Sequence, residues 1–188
     1  MSDTKIHVVF EPLATLLQVI DVADENSWNE AEHFKRGERQ LEELIYELPD
    51  GETVVRGIDD HFVIVTFAVI TGPARAEVEQ KLRADGRALD EATLWSWTKS
   101  NNPEERAFAL RAFAATSQKT ADPRVVALYQ GALEDDHPEV RKALVQSVGR
   151  AAWPELWPIV DELAKSGTSE AAVLKEGYEI HLSRSRAS

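Results

Sequence analysis

Apolar residues fall at helical spacing through much of this chain, and the breaks between the runs carry helix-start and helix-stop signals. Pro12 suits the first turn of a helix in which Leu13, Leu16, Leu17 and Ile20 sit at i, i+3, i+4 and i+7. That helix is predicted to end near Val22. After a polar break at 24–27, Ser27 followed by Glu30 makes a capping-box pattern, and Phe34, Leu41, Leu44, Ile45 and Leu48 predict a long helix closed by Pro49-Asp50-Gly51. Residues 5–10 look extended by their β-branched content, but are too few to separate a strand from an ordered lead-in.

Residues 53–70 read two ways. Val63-Ile64-Val65-Thr66-Phe67 has strong strand propensity and would make a small β-hairpin with the stretch from Thr53 to Ile58. The same residues also read as a buried helix, opened by an Asp60 cap and closed by Gly72-Pro73. Helix is favoured, because intrinsic propensity yields to context and everything that follows is helical. Helices are predicted at 74–84, 90–100, 103–116, 122–135, 138–151, 154–165 and 169–183, several opened by proline, with residues 184–188 a frayed tail.

The helices recur. Asn102-Pro103-Glu104-Glu105-Arg106 matches His137-Pro138-Glu139-Val140-Arg141 with the prolines 35 residues apart, and Pro123 and Pro154 are 31 apart. A helix pair repeating in the thirties is the mark of a solenoid, in which each pair has an apolar side that only its neighbours can bury. The run Asp135-Asp136-x-Pro138-x-Val140-Arg141-x-Ala143, followed by Val148-Gly149, resembles the inter-helix turn and second helix of the HEAT-repeat family. The copy at Pro103 departs from it at Glu105 and Ala114, and a degenerate copy at Ser169 keeps only Val173. The resemblance covers residues 88–183. It implies an all-α fold, a short right-handed α-solenoid of antiparallel helix pairs in one domain over 1–188, with 1–86 a divergent helical part. It also implies a structural role for Arg106 and Arg141, linking adjacent repeats.

Composition changes the picture in three ways. A hydrophobic share of 43% beside 29% charged residues is that of a folding chain. Cysteine is absent, which removes disulfides, thiolate metal sites and thiol nucleophiles. The opening residues have neither a basic n-region nor an apolar h-region, so a cytoplasmic protein with no membrane span is expected. With 33 acidic against 21 basic side chains, a net charge of −12 disfavours nucleic acid and suits a basic protein partner.

Candidate chemistry is sparse. Glu30 and His33 have the spacing of carboxylate-bridged di-metal bundles, but no second Glu-x-x-His accompanies them. With no phosphate loop and no nucleophile elbow, neither catalytic residues nor a metal or other cofactor are expected. Binding residues are better represented. The acidic clusters Asp21/Asp24/Glu25, Asp50/Glu52, Asp59/Asp60 and Glu134/Asp135/Asp136 fall at predicted helix ends or turns, where they either cap helices or merge into an acidic strip that steers a basic partner. Trp95 and Trp97 are two apart and cannot share a helix face, so one of them, and Trp153 or Trp157 likewise, either fills a gap between helices or presents an interface anchor. The expected function is a non-catalytic binding module, in concrete form an immunity-type inhibitor of a basic toxin. The alternatives are an assembly scaffold, or a HEAT-like enzyme of the phycobilin lyase or DNA glycosylase type.

Overall fold

The computed structural model describes residues 5–35, 37, 41–165 and 167–186. The chain forms two compact units, Met1–Leu94 and Trp95–Ser188. The first contains β1 (Ile6–Phe10), α1 (Leu17–Glu25), β2 (Asn29–Phe34), β3 (Leu41–Glu47), β4 (Val54–Asp60), β5 (Val65–Thr71), α2 (Arg75–Arg83) and β6 (Ala88–Leu89). Its strands make one antiparallel sheet in the order β2-β3-β4-β5-β1-β6. This sheet overturns the expected all-α solenoid and, outside α1 and α2, the helical reading of residues 1–86. The fold is mixed α and β.

The physical reasons lie in particular strands. Six consecutive residues of β5, Val65 to Ile70, are buried, so both faces of the strand are covered and the alternation that marks a half-exposed strand is missing. The predicted 27–48 helix is instead the β2–β3 pair, with Ser27 in a left-handed turn at φ 53° ahead of β2. β2 is a polar edge strand with no apolar face, and in β3 the interrupting Glu43 is buried, held by the guanidinium of Arg56 on β4. Neither strand therefore shows a period of two.

Residues 53–70 form the β4–β5 hairpin, paired from Val54 with Thr71 to Asp60 with Val65. Asp60 does cap a turn, as its place in the sequence suggested, but a turn between strands. Its Oδ1 accepts from the backbone N–H of Phe62 and Val63 at 3.0 and 3.3 Å, and its carbonyl accepts from Ile64 N at 2.7 Å. One helical turn is thus closed and not continued.

The sheet's core face meets the two helices. Val8, Phe10, Leu44, Val55, Ala68 and Ile70 from the strands enclose Leu16, Val19 and Ala23 with Val78 and Leu82 of α2. Gly57 lets α1 lie close. A Cβ there would come within 3.2 Å of both γ-carbons of Val19.

The second unit is helical. α3 (Glu91–Trp97) spans the boundary, followed by α4 (Pro103–Ala115), α5 (Pro123–Ala132), α6 (Pro138–Ala151), a 3₁₀ turn (Pro154–Leu156), α7 (Trp157–Ala164) and α8 (Ser169–Arg186). The caps explain why these helices start where they do. Asn102 Oδ1, Asp122 Oδ1 and His137 Nδ1 each accept from the backbone N–H two residues on, at 3.0, 2.8 and 3.3 Å, and each is followed by proline. α4 lies along α6 and α7 along α8. Small buried residues of α4, among them Ala107, Ala112 and Ala115, permit the close approach.

The 35-residue period of the sequence reappears as contact. Arg111 Nε donates to Gln146 Oε1 at 3.0 Å, and Trp153 Nε1 donates to the carbonyl of Gln118 at 2.7 Å, each pair separated by 35 positions. α8 continues to Arg186, into the stretch expected to fray, and residues 187 and 188 of that stretch lie outside those described. No helix among the described residues is long and apolar enough to cross a membrane.

Candidate partner-binding surfaces

In the helical unit, the turn between α5 and α6 carries Glu134, Asp135 and Asp136. Asp135 is a structural joint. Its carboxylate takes two hydrogen bonds from Arg106, Nε to Oδ2 at 2.8 Å and Nη2 to Oδ1 at 3.1 Å, and a third from His137 N at 2.9 Å. Arg106 also donates to the carbonyl of Ser100 at 2.8 Å, while Arg141 donates to the carbonyls of Asp135 and Asp136. The Arg106 guanidinium holds the Asp135 carboxyl below the usual carboxylate range, against the upward push of partial burial. Only Glu134 and Asp136 of this cluster stand exposed.

The four tryptophans of the helical unit are distributed differently. Trp153 is 3% exposed, with its N–H on Gln118 and its carbonyl accepting from the Tyr178 hydroxyl at 2.8 Å, so it belongs to the core. Trp95 and Trp97 are both half-buried. Trp95 lies 4.5 Å from Phe113 with the Arg124 guanidinium over it at 5.4 Å, and Trp97 meets Phe108 edge-on at 5.8 Å. Two residues apart on a seven-residue helix, both rings reach α4, which turns its phenylalanines toward each. Trp157 is half-buried beneath the Lys175 ammonium at 5.7 Å.

The sheet unit holds the other named carboxylates. Asp60 is fully buried in the hairpin turn, and Asp59, half-buried, lies 3.3 Å from the Thr66 hydroxyl with His61 Nδ1 at 3.7 Å. Of the four acidic clusters, three therefore sit on a helix face, a hairpin turn or a strand end of the sheet unit, and helix-pair stacking does not align them. Asp50 closes the β3–β4 turn, its Oδ1 accepting from Glu52 N and Thr53 N. Asp21, Asp24 and Glu25 lie inside α1, all exposed. Glu30 and His33 stand on β2, with His33 Nε2 at 3.2 Å from Glu42 Oε1. Among the described residues, no group of three or more His, Asp or Glu side chains is placed to hold a metal ion.

The charge is divided unevenly. Residues 1–94 carry 20 acidic and 9 basic side chains, residues 95–188 carry 13 and 12. Nearly all the net charge therefore belongs to the sheet unit. In the helical unit carboxylates are matched: Asp122 with Arg124, Asp135 with Arg106, Glu139 with Arg111, Asp161 with Lys175 and Glu162 with Lys165. In the sheet unit the field is felt by Tyr46, whose phenol is pushed up first by burial and then by the carboxylates of Glu30 and Asp24.

The chain matches no family model, no curated protein and no solved structure. The geometry of the two units is what distinguishes candidate surfaces.

The fold exposes four large apolar residues of the sheet unit, none of them a site candidate in the sequence, as well as Val173 and Ile180 on α8. Leu13, Leu17, Phe62 and Ile64 are 98%, 57%, 47% and 59% exposed. Leu13 and Leu17 have the spacing of a buried helix face, but α1 begins only at Leu17 and Leu13 belongs to the loop before it, at φ 69°. Ile64 ends the hairpin turn at φ 57°. Its only sequence signal is the Asp59-Asp60-His61 turn just ahead of it.

Proposed function

We propose that the protein is a non-catalytic binding module that captures a basic protein partner, in its most concrete form an immunity-type inhibitor that neutralises a cytoplasmic toxin enzyme. The observation that carries this reading is the charge division: 20 acidic against 9 basic side chains in residues 1–94, beside a helical unit that is balanced and internally paired. Such a field repels phosphate backbones and anionic lipid and accelerates encounter with a cationic protein. The helical unit is then a scaffold. The likeness to HEAT repeats read over 88–183 fails at β6 (Ala88–Leu89) and is supported from α4 onward by the Arg106–Asp135 link and by hydrogen bonds between positions 35 apart.

The test is co-expression of the chain with the products of its neighbouring genes, reading complex formation and host growth. A stoichiometric complex with a basic product, released as salt is raised and relieving its toxicity, is expected. Recovery of no basic partner, or of a complex indifferent to salt, contradicts the proposal.

A further inference from the structure

Two loops leave the same end of the sheet. The one after β1 leads into α1, and the other is the β4–β5 turn. β1 and β5 are neighbours, paired up to Val9 with Phe67, so the residues that follow Phe10 and precede Val65 emerge side by side. A hydrogen bond fastens them, from the Thr66 hydroxyl to the carbonyl of Ala14 at 2.9 Å. Each loop raises a large apolar residue on a left-handed backbone, Leu13 at φ 69° and Ile64 at φ 57°. For a leucine, and more so for a β-branched isoleucine, that conformation is costly, and burial offsets nothing here because both side chains face water. Strain of this kind is kept where the surrounding structure enforces it, and it gathers at binding sites.

The apolar tips continue into charge. Leu17, Asp21, Asp24 and Glu25 stand at i, i+4, i+7 and i+8 on α1, and all four are exposed. Among the described residues no ion pair neutralises those three carboxylates. One stripe therefore runs from Leu13 and Leu17 to a row of three negative charges. Charge complementarity selects the occupant. A second copy of this chain would bring the same acidic row against itself, and an anionic membrane would be repelled by it.

We infer that the loop end of the sheet, with Leu13, Leu17 and Ile64 as its apolar contacts and Asp21, Asp24 and Glu25 beside them, is the docking surface for a basic amphipathic segment of the partner protein. The inference rests on the proposed capture of a basic partner and assigns that capture to the sheet unit, not to Trp95, Trp97, Trp157 or the α5–α6 turn of the helical unit. Apolar side chains of the segment cover the two loop tips while its Lys or Arg side chains face the α1 carboxylates. The left-handed backbone at positions 13 and 64 is what aims the tips outward.

The experiment uses the full chain and a synthetic amphipathic helical peptide of Leu and Lys, with two controls: a peptide of equal charge lacking the leucines, and one with Glu for Lys. The test variant is Leu13→Asn with Ile64→Asn, chosen because asparagine tolerates the left-handed region and so preserves the loops. The Leu/Lys peptide is expected to bind best. The double variant is expected to weaken it by about tenfold or more while the melting temperature stays level or rises. Asp136→Lys with Trp157→Ala in the helical unit is expected to leave binding unchanged.

Peptide binding that survives the double variant and is lost in the helical-unit variant overturns this surface while leaving the capture of a basic partner intact. Equal binding of the Glu peptide overturns both. Sedimentation with phosphatidylcholine or phosphatidylserine vesicles that depends on Leu13 and Ile64 would assign the tips to a membrane, and a concentration-dependent dimer abolished by the double variant would assign them to a second copy. Either result overturns the inference.

Discussion

Replacing Gly72 by alanine is expected to cost about 3 kcal/mol or more of folding stability. Gly72 turns the chain from β5 toward α2 at φ 101°, a backbone that L side chains rarely adopt. A Cβ there would lie 2.5 Å from both the carbonyl oxygen of Glu52 and the Cα of Thr53, which are backbone atoms of the β3–β4 turn and cannot rotate aside. That turn is itself pinned. Asp50 accepts from the Thr53 hydroxyl at 2.6 Å, and the same hydroxyl accepts from Ala74 N at 3.1 Å, so yielding to the clash breaks further bonds. Gly51→Ala provides the comparison. Gly51 also has positive φ, at 68°, but its Cβ would meet nothing within 4 Å, so only the conformational cost of about 1 kcal/mol applies. Urea midpoints at constant m measure both. Equal losses for the two variants would show that the contact with the β3–β4 turn carries no weight.

Arg106→Ala is expected to cost about 2 kcal/mol, the range for removing hydrogen bonds from a partly buried charge. The side chains of Arg106 and Asp135 are 22% and 17% exposed, so solvent screens the pair only in part, and the loss leaves Asp135 and the Ser100 carbonyl without that donor. Arg106→Lys should recover less than half of it, since an ammonium cannot reproduce the two-pronged contact. The effect has a pH signature. Because the Asp135 carboxyl titrates below its unfolded value, its contribution is fully present above the unfolded value, near pH 4, and disappears as pH falls through the depressed folded value. The stability difference between the wild type and Arg106→Ala should therefore shrink in acid. A difference constant from pH 7 down to pH 2 would show that the carboxylate is not what Arg106 stabilises.

The helical unit was largely legible in the sequence because its signals are local. Pro103, Pro123 and Pro138 each follow a capping side chain, and the helices begin at those prolines. Misplacements come at Pro154, which opens a 3₁₀ turn ahead of α7, and at the end of α8, which continues to Arg186. Of the sheet, only the 53–70 hairpin and the extended 5–10 stretch were readable, each as one of two alternatives, and the rest was not legible because its signals depend on partners. Val65 to Ile70 is buried on both faces and so resembles a buried helix, Glu43 interrupts β3 until Arg56 is seen opposite it, and β2 has no buried face at all. Phe34, Leu41, Leu44, Ile45 and Leu48 kept helical spacing only by adding two strands together.

The candidate site was legible in part. The net charge of −12 was legible, but its concentration in the sheet unit emerged only with the boundary after Leu94. Asp60, Asp135 and Trp153, which looked available for binding, are committed to a hairpin turn, an arginine and a backbone carbonyl. Leu13 and Ile64 looked like core residues. Their exposure follows from a left-handed backbone at each, which no apolar pattern announces.

The central claim is that the acidic field of the sheet unit captures a cationic protein surface. Its most direct test is the association rate of the Leu/Lys peptide with the full chain, from about 20 mM to about 500 mM salt, over which screening shortens from tens of ångströms to a few. The wild type should slow by about tenfold or more across that range. Asp21→Lys, Asp24→Lys and Glu25→Lys together should remove most of the salt dependence, and Glu134→Lys with Asp136→Lys should leave it in place. A rate indifferent to salt, or one governed by Glu134 and Asp136 and not by the α1 carboxylates, would contradict the account.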